Sequence, residues 1–266
     1  MKFVILGTSG MLGTYVSSYL RKSYNPEQVK IVTPSRDQFD IAKQTMSENF
    51  ADPLNLEVGD VVINCAGIIN KEALLRESII VNSIFPQLMS QYCKRRRITF
   101  IHISTDCVFD GIKGNYSYKD KHNASDIYGI TKSCGEPDYK TCILIRTSII
   151  GESKNGRSLV EWLRTQKGKT ITGYENHKWN GVTCLTLAKC IIRILDSGCM
   201  SGLFILISPH HITKYELCKK ISEAYGWNIN IEKGIGEKDI DRTLVGNVIC
   251  KQTIDEQIKD MVNYKF

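Results

Sequence analysis

Tyr128 and Lys132 lie four residues apart in Tyr128-Gly129-Ile130-Thr131-Lys132. On a helix that spacing sets two side chains one above the other on the same face. An ammonium beside a phenol favours the phenolate, so Lys132 is expected to draw the Tyr128 pKa down from its ordinary value of about 10. Such a pair could deliver a proton to an oxygen near neutral pH. Upstream, the strand-like run Ile98 to Ser104 ends in Ser104-Thr105-Asp106-Cys107-Val108-Phe109-Asp110-Gly111. A hydroxyl at the end of a parallel strand is well placed to donate to a substrate carbonyl, and Thr105 is the candidate. Between Thr105 and Tyr128 runs a loop with Gly111, Gly114 and Asn115, long enough to border a pocket.

These residues need a scaffold, and the chain supplies alternating elements. Lys2 to Leu6 reads as a strand and leads into Gly7-Thr8-Ser9-Gly10-Met11-Leu12-Gly13, with helical periodicity from Met11 to Arg21. Strand, glycine turn and helix in that order let backbone approach a pyrophosphate, which then sits on the helix N-terminus. A second strand, Val29 to Thr33, ends in Pro34-Ser35-Arg36-Asp37. Ser35 and Arg36 suit the 2′-phosphate of NADPH, while Asp37 leaves NADH open. Asp60 to Asn64 is a buried-type strand running into Cys65, Ala66 and Gly67, whose small side chains leave room for a ligand. Glu72 to Lys94 reads as helical, with Pro86 expected to kink or interrupt it. Tyr128 to Glu136 is a helix stopped by Pro137, and Thr141 to Ser148 is a further strand.

This alternation predicts an α/β fold, a Rossmann-type doubly wound parallel sheet covered on both faces. Residues 1–150, with 183–207 returning to them, are expected to form a dinucleotide-binding domain. Residues 151–182 and 208–266 are expected to form a smaller α+β substrate lobe over the carboxyl edge of the sheet, its tail mixing short strands with charged turns.

Composition narrows the function classes. With 42% hydrophobic and 24% charged residues the chain is ordinary for a globular protein, and no apolar stretch is long enough to span a membrane. A soluble cytoplasmic protein is expected. The ten cysteines are scattered without a Cys-x-x-Cys pair, which favours reduced thiols in the core, and the five histidines show no metal-ligand spacing. Lys94-Arg95-Arg96-Arg97 falls at a helix end, where cations complement the dipole, so the net charge of +7 does not call for nucleic acid and suits an anionic small molecule.

With these motifs in order, the chain resembles an extended short-chain dehydrogenase/reductase, most closely the dTDP-4-dehydrorhamnose reductase group. The resemblance rests on the Gly7-Gly10-Gly13 turn, Asn64 to Gly67, Ser104 to Gly111, Tyr128 with Lys132, Gly135-Glu136, Arg146-Thr147-Ser148 and Asp241-Arg242-Thr243-Leu244. It implies a triad of Thr105, Tyr128 and Lys132, with Thr105 polarising a ketone oxygen, Tyr128 protonating it, and Lys132 binding the nicotinamide ribose and tuning Tyr128. It implies an NADPH-dependent reduction of a nucleotide-activated 4-keto-6-deoxyhexose. Thr105, Asp106, Cys107, Arg157, Trp179 and Arg242 are the residues expected to meet that sugar nucleotide. Cys107 stands where related 4,6-dehydratases carry glutamate and the reductases usually carry tyrosine, which speaks against dehydration and leaves the sugar open. An epimerase of the same superfamily and a cofactor-binding regulatory subunit, similar to the beta subunit of methionine adenosyltransferase, are the alternatives. Many relatives of this kind form homodimers.

Overall fold

The computed structural model describes residues 1–69 and 75–266. Seven strands form one parallel sheet. In chain order they are β1 (Lys2–Leu6), β2 (Lys30–Val32), β3 (Val61–Asn64), β4 (Thr99–Ile103), β5 (Ile143–Arg146), β10 (Gly202–Ile207) and β14 (Val248–Ile249), and across the sheet they run β14-β10-β5-β4-β3-β1-β2. The chain steps outward from β1 to β2 and then resumes on the other side of β1 with β3. The crevice outside the carboxyl ends of β1 and β3 is therefore the switch point at which such sheets take ligands.

Every residue of β3, β4 and β5 is buried, because helices cover both faces. Alternate residues feed two cores. Phe3, Ile5, Ile63, Ile101 and Ile145 pack towards helices α1 (Met11–Ser23), α7 (Cys184–Asp196) and α9 (Ile254–Asn263), whereas Val4, Val62, Phe100 and Leu144 pack against Phe85, Met89 and Cys93 of α4 (Phe85–Arg96). That two-sided burial is why these strands read as continuous apolar runs. All ten cysteines are free thiols, five of them buried.

The expected helix from Glu72 begins partly outside the described residues. Its visible part is α3 (Leu75–Ile79), then a π-type turn Ile80–Ile84 in which the Phe85 N–H reaches back to the Ile80 carbonyl, then α4 with Pro86 in its first turn. Proline has no N–H to offer and is tolerated there. Between the strands lie α2 (Ile41–Gln44) and α5 (Ile127–Cys134), the second ending at Gly135, just short of the expected Pro137.

Two excursions leave the carboxyl ends of β5 and β10. They contain β6 (Ile149–Ile150), α6 (Leu159–Arg164), β7 (Thr170–Tyr174), β8 (His177–Trp179), β9 (Val182–Thr183), β11 (Ile212–Thr213), α8 (Lys214–Ala224), β12 (Asn230–Gly234) and β13 (Ile240–Asp241). The expectation that everything after residue 207 belongs to a separate lobe needs correction. β14 pairs in parallel with β10, and Ile254, Ile258 and Met261 of α9 lie in the main core. Burial of these apolar residues against α7 draws the tail back onto the sheet. No described helix is long and apolar enough to cross a membrane.

Candidate active site

The glycine turn is shaped by close approach. Gly7 has φ of +79°, and a Cβ there would come within 2.7 Å of Ala66 backbone, so the loops after β1 and β3 touch. A Cβ on Gly13 would lie 2.3 Å from the Gly7 carbonyl oxygen. The Gly10 N–H donates to that same oxygen at 3.0 Å, and the Thr14 hydroxyl donates to the Gly10 carbonyl at 2.8 Å. No side chain caps α1. Its first-turn N–H groups, in Met11, Leu12 and Gly13, therefore face the crevice as anion donors. Thr8, Ser9, Cys65, Ala66 and Gly67 complete this rim, none of them fully buried. The cradle fits a dinucleotide pyrophosphate by shape and by donor chemistry.

At the end of β2, Ser35 and Arg36 are exposed. Arg36 is engaged: its Nε lies 3.1 Å from Asp40 and its Nη2 lies 2.6 Å from Glu77. Both pairs are solvent-facing on the arginine side, and such pairs contribute at most about 1 kcal/mol. The guanidinium can thus turn to a phosphate at small cost.

Beyond β4 the chain makes a tight turn. The Thr105 hydroxyl accepts from the Cys107 N–H at 3.2 Å and donates to Asp106 Oδ1 at 3.1 Å. Helix α5 is pressed onto this turn. A Cβ at Gly129 would lie 2.2 Å from the Cys107 carbonyl oxygen, so only glycine lets Tyr128 come this close to Thr105 and Cys107. Asp126 caps the helix by accepting from the Gly129 N–H at 2.9 Å. At the other end a Cβ on Gly135 would lie 1.7 Å from the Asn82 carbonyl oxygen in the π-type turn. Asn82 donates to the Ile68 carbonyl at 2.9 Å and to Thr131 Oγ1 at 3.0 Å, tying the loop after β3 to α5.

The phenol and the ammonium share a face but not a hydrogen bond. Burial raises the Tyr128 pKa above its ordinary value; Cys107, Asp106 and Asp126 add to the rise, and the Thr105 hydroxyl opposes it. This reverses the expected lowering by Lys132. The Lys132 ammonium is instead turned to the Ile103 carbonyl at 2.7 Å, with His102 Nε2 at 3.3 Å. Burial brings the Lys132 pKa down to about 8, opposed by Glu136 and Cys65. Burial likewise raises Asp106 above the ordinary carboxylate range, with Ser148 and Arg242 opposing. The Cys107 thiol is pushed up to about 12, chiefly by burial and then by Asp106.

Of the residues expected to meet a substrate, Thr105, Asp106, Cys107 and Arg242 come together. Arg242 donates through Nε to the Phe109 carbonyl at 3.0 Å, and its Nη2 lies 3.9 Å from Asp126. Arg157 is exposed in the loop before α6 and forms no ion pair among the described residues. Trp179, at the end of β8, packs partly buried against the main core. A Cβ on Gly181 would lie 2.6 Å from the Trp179 ring and 2.2 Å from the carbonyl of Ser148, the residue that hydrogen-bonds Asp106.

Two supports of the site carry roles that the sequence did not assign to them. One is Asn82, which with Ser83 is polar among the apolar Ile80, Val81 and Ile84 of the turn ahead of Pro86 and yet is buried, a usable signal. The other is the buried cluster in which Arg146 forms a two-pronged pair with Glu136, at 3.0 and 2.6 Å, while His122 Nε2 meets Arg146 Nη2 at 2.9 Å. The remaining nitrogen, Nη1, has no hydrogen-bond partner among the described residues, and the guanidinium lies 5.5 Å from the Phe109 ring centre. This cluster anchors the end of α5 to β5.

Comparison with known proteins agrees with the geometry. The chain is 28% identical over 262 residues to a probable low-salt glycan biosynthesis reductase of Haloferax volcanii, covering 90% of this chain and 85% of that protein. It is 26% identical over 239 residues to the dTDP-4-dehydrorhamnose reductase of Mycobacterium tuberculosis, covering 85% and 76%. The crystal structure of dTDP-4-dehydrorhamnose reductase from Bacillus anthracis in complex with NADP superposes with a TM-score of 0.80 at 17% identity, over 98% of each chain. The family model described as RmlD substrate binding domain matches residues 1–239. The chain belongs to that family, within the extended short-chain dehydrogenase/reductases.

Proposed function

We propose that this protein is an NADPH-dependent reductase acting on the 4-keto group of a nucleotide-activated 4-keto-6-deoxyhexose, dTDP- or UDP-linked, with Tyr128 as proton donor. The observation that carries the reading is the seating of α5 on the Thr105–Cys107 turn through Gly129, which sets a phenol beside a hydroxyl at the carboxyl edge, next to a glycine cradle. The names of the relatives support the substrate class, and the NADP in the Bacillus anthracis structure supports the cofactor.

A nicotinamide dinucleotide held in the cradle supplies the hydride for reducing a ketone carbon. Gly7 to Gly13 bind its pyrophosphate, Asn64 to Gly67 form the opposite wall, and Ser35 with Arg36 select the 2′-phosphate. The exposed Asp37 beside them is the carboxylate that would take the ribose 2′-hydroxyl of NADH.

Thr105 donates to the ketone oxygen and so stabilises the charge that develops there. Tyr128 gives that oxygen its proton. Its raised pKa keeps the phenol protonated at neutral pH, so the proton to be transferred is in place. Asp106 and Arg242 hold the sugar nucleotide beside Cys107, and residues 151–182 with 208–245 form the substrate side of the cleft.

The test is NADPH oxidation by the isolated chain with dTDP- and UDP-linked 4-keto-6-deoxy sugars. Net consumption of NADPH with one of them is expected. Isomerised sugar with no net oxidation would favour the epimerase reading, and binding of NADPH without turnover on any of them would favour a regulatory subunit.

A further inference from the structure

His102 is a titratable group that the proposed reaction does not use. It is the fourth residue of β4, fully buried, with its ring 6.1 Å from that of Phe100 at an interplanar angle of 23°. Its two nitrogens bridge two residues of the site: Nδ1 lies 3.1 Å from Asn64 Nδ2, and Nε2 lies 3.3 Å from Lys132 Nζ. Burial is the chief cause that keeps the ring neutral, with a pKa well below the ordinary value, and any charge on Lys132 adds to that lowering. A neutral imidazole carries one proton, and the hydrogen bond made by one nitrogen decides what the other presents.

Here the decision is made by Asn64. Its Oδ1 accepts from the Ala66 N–H at 3.1 Å, which fixes the orientation of the amide and turns its NH2 to His102. An NH2 group can only donate, so Nδ1 must accept and the ring proton sits on Nε2. That N–H points at the Lys132 nitrogen. It can donate to the lone pair of an amine but finds no acceptor on an ammonium.

We propose that Asn64 and His102 form a positioning pair for Lys132, in which the His102 Nε2–H fixes the lysine head group against the Ile103 carbonyl and favours the neutral amine over the ammonium. The titratable groups facing Lys132 are Glu136 at the end of α5 and Cys65 after β3, both of which act on its charge, and His102 on β4, whose Nε2 lies 3.3 Å from its Nζ. Asp106, Cys107 and Asp126 act on Tyr128 instead. The first two of the Lys132 set are acids, which favour the charged lysine; His102 opposes them. The loop that lines the cofactor cradle thus reaches the proton-handling lysine through one imidazole.

The inference rests on Lys132 belonging to the site, but its tests need no sugar. Nitrogen-15 NMR of the His102 ring in the full chain should show the neutral Nε2–H form; a ring protonated on Nδ1 would overturn the proposal. Lys132 titration, followed by NMR of labelled lysine side chains and assigned with Lys132→Met, supplies the second reading. Asn64→Leu removes the donor without adding charge, so the ring can turn a lone pair on the ammonium, and the proton affinity of Lys132 should rise at least tenfold. An unchanged affinity in a folded Asn64→Leu protein would overturn the coupling. Should that variant not fold, the wild-type ring tautomer still decides. Failure of NADPH turnover would strike the proposed reaction and leave both readings untouched.

Discussion

Gly129 meets the Cys107 carbonyl oxygen so closely that a Cβ would lie 2.2 Å away and 2.6 Å from the Ala124 side chain. Backbone on one side and a packed methyl on the other leave nowhere for a methyl group to go. Gly129→Ala should therefore lift α5 off the Thr105–Cys107 turn and carry Tyr128 with it. Overpacking of this kind costs roughly 1–3 kcal/mol. Because a misplacement of about 1 Å can lower a rate 100-fold, activity should fall further than stability. Turnover measured beside thermal unfolding checks this, and an active Gly129→Ala protein would mean that the contact does not set the geometry.

Tyr128→Phe keeps the ring and removes only the proton. Loss of a positioned acid typically lowers kcat by about 10²–10⁴. Cofactor affinity, measured by NADPH fluorescence, should stay within about twofold, a margin of some 0.4 kcal/mol. Thr105→Val should also lower kcat, by about 10²–10³ as for a lost oxyanion donor, with its KM for the sugar little changed. A variant that weakened NADPH binding as much as it slowed turnover would place Tyr128 in the cofactor pocket rather than at the ketone.

Arg36 sits between two carboxylates, Asp40 at 3.1 Å and Glu77 at 2.6 Å. A 2′-phosphate must draw it from them. Arg36→Ala should raise the KM for NADPH about tenfold, the scale of one charge-assisted hydrogen bond, and leave that for NADH unchanged. Glu77→Gln should act in the opposite direction and less strongly, because the pair it breaks is exposed on the arginine side. Equal effects on both cofactors would show that Arg36 does not read the phosphate.

Much of this site was legible because its parts are local. A glycine turn after a strand, a hydroxyl after another, and a tyrosine four residues before a lysine are all patterns within a few positions, and the family resemblance set them in one place. The direction of the Tyr128 pKa was not legible, since helical spacing fixes which face a lysine shares but not where its head group turns. Lys132 found a strand carbonyl and a histidine 30 positions away. Asn82 joins residues 14 and 49 positions off, and such pairings exist only once the sheet is assembled. Helix α9 is a different case: Thr253 and Glu256 form a capping box, and Ile254, Gln257, Ile258 and Met261 follow helical spacing. Charged residues between them hid a signal that was present.

Glu136 and Arg146 are both nearly buried, and the pair is two-pronged. Removing one partner leaves the other charge without compensation, which typically costs about 3–5 kcal/mol. Glu136→Leu should lower thermal stability accordingly, since Arg146 already has one nitrogen without a partner among the described residues. The double variant Glu136→Leu/Arg146→Met should recover most of the loss. If the single change left the unfolding midpoint in place, the pair would not be the anchor of α5.

Lys132 itself makes a prediction with a defined sign. Its pKa is about 8 in the folded chain against an ordinary 10.5, burial being the chief cause. Below pH 8 both folded and unfolded chains hold the proton, and the folded one bears the full cost of a buried ammonium. Between about pH 8 and 10.5 the folded chain releases its proton first, the unfolded chain binds more protons, and stability rises with pH. Lys132→Met removes the charge at every pH. The variant should therefore be inactive yet more stable than the wild type near pH 7, and that advantage should shrink steadily as the pH passes 8. Denaturant unfolding of both proteins from pH 6.5 to 9.5, on the order of the range the linkage spans, measures the difference. A difference that stayed flat with pH would mean that Lys132 keeps its ordinary proton affinity, and that its burial beside His102 and the Ile103 carbonyl is fully compensated.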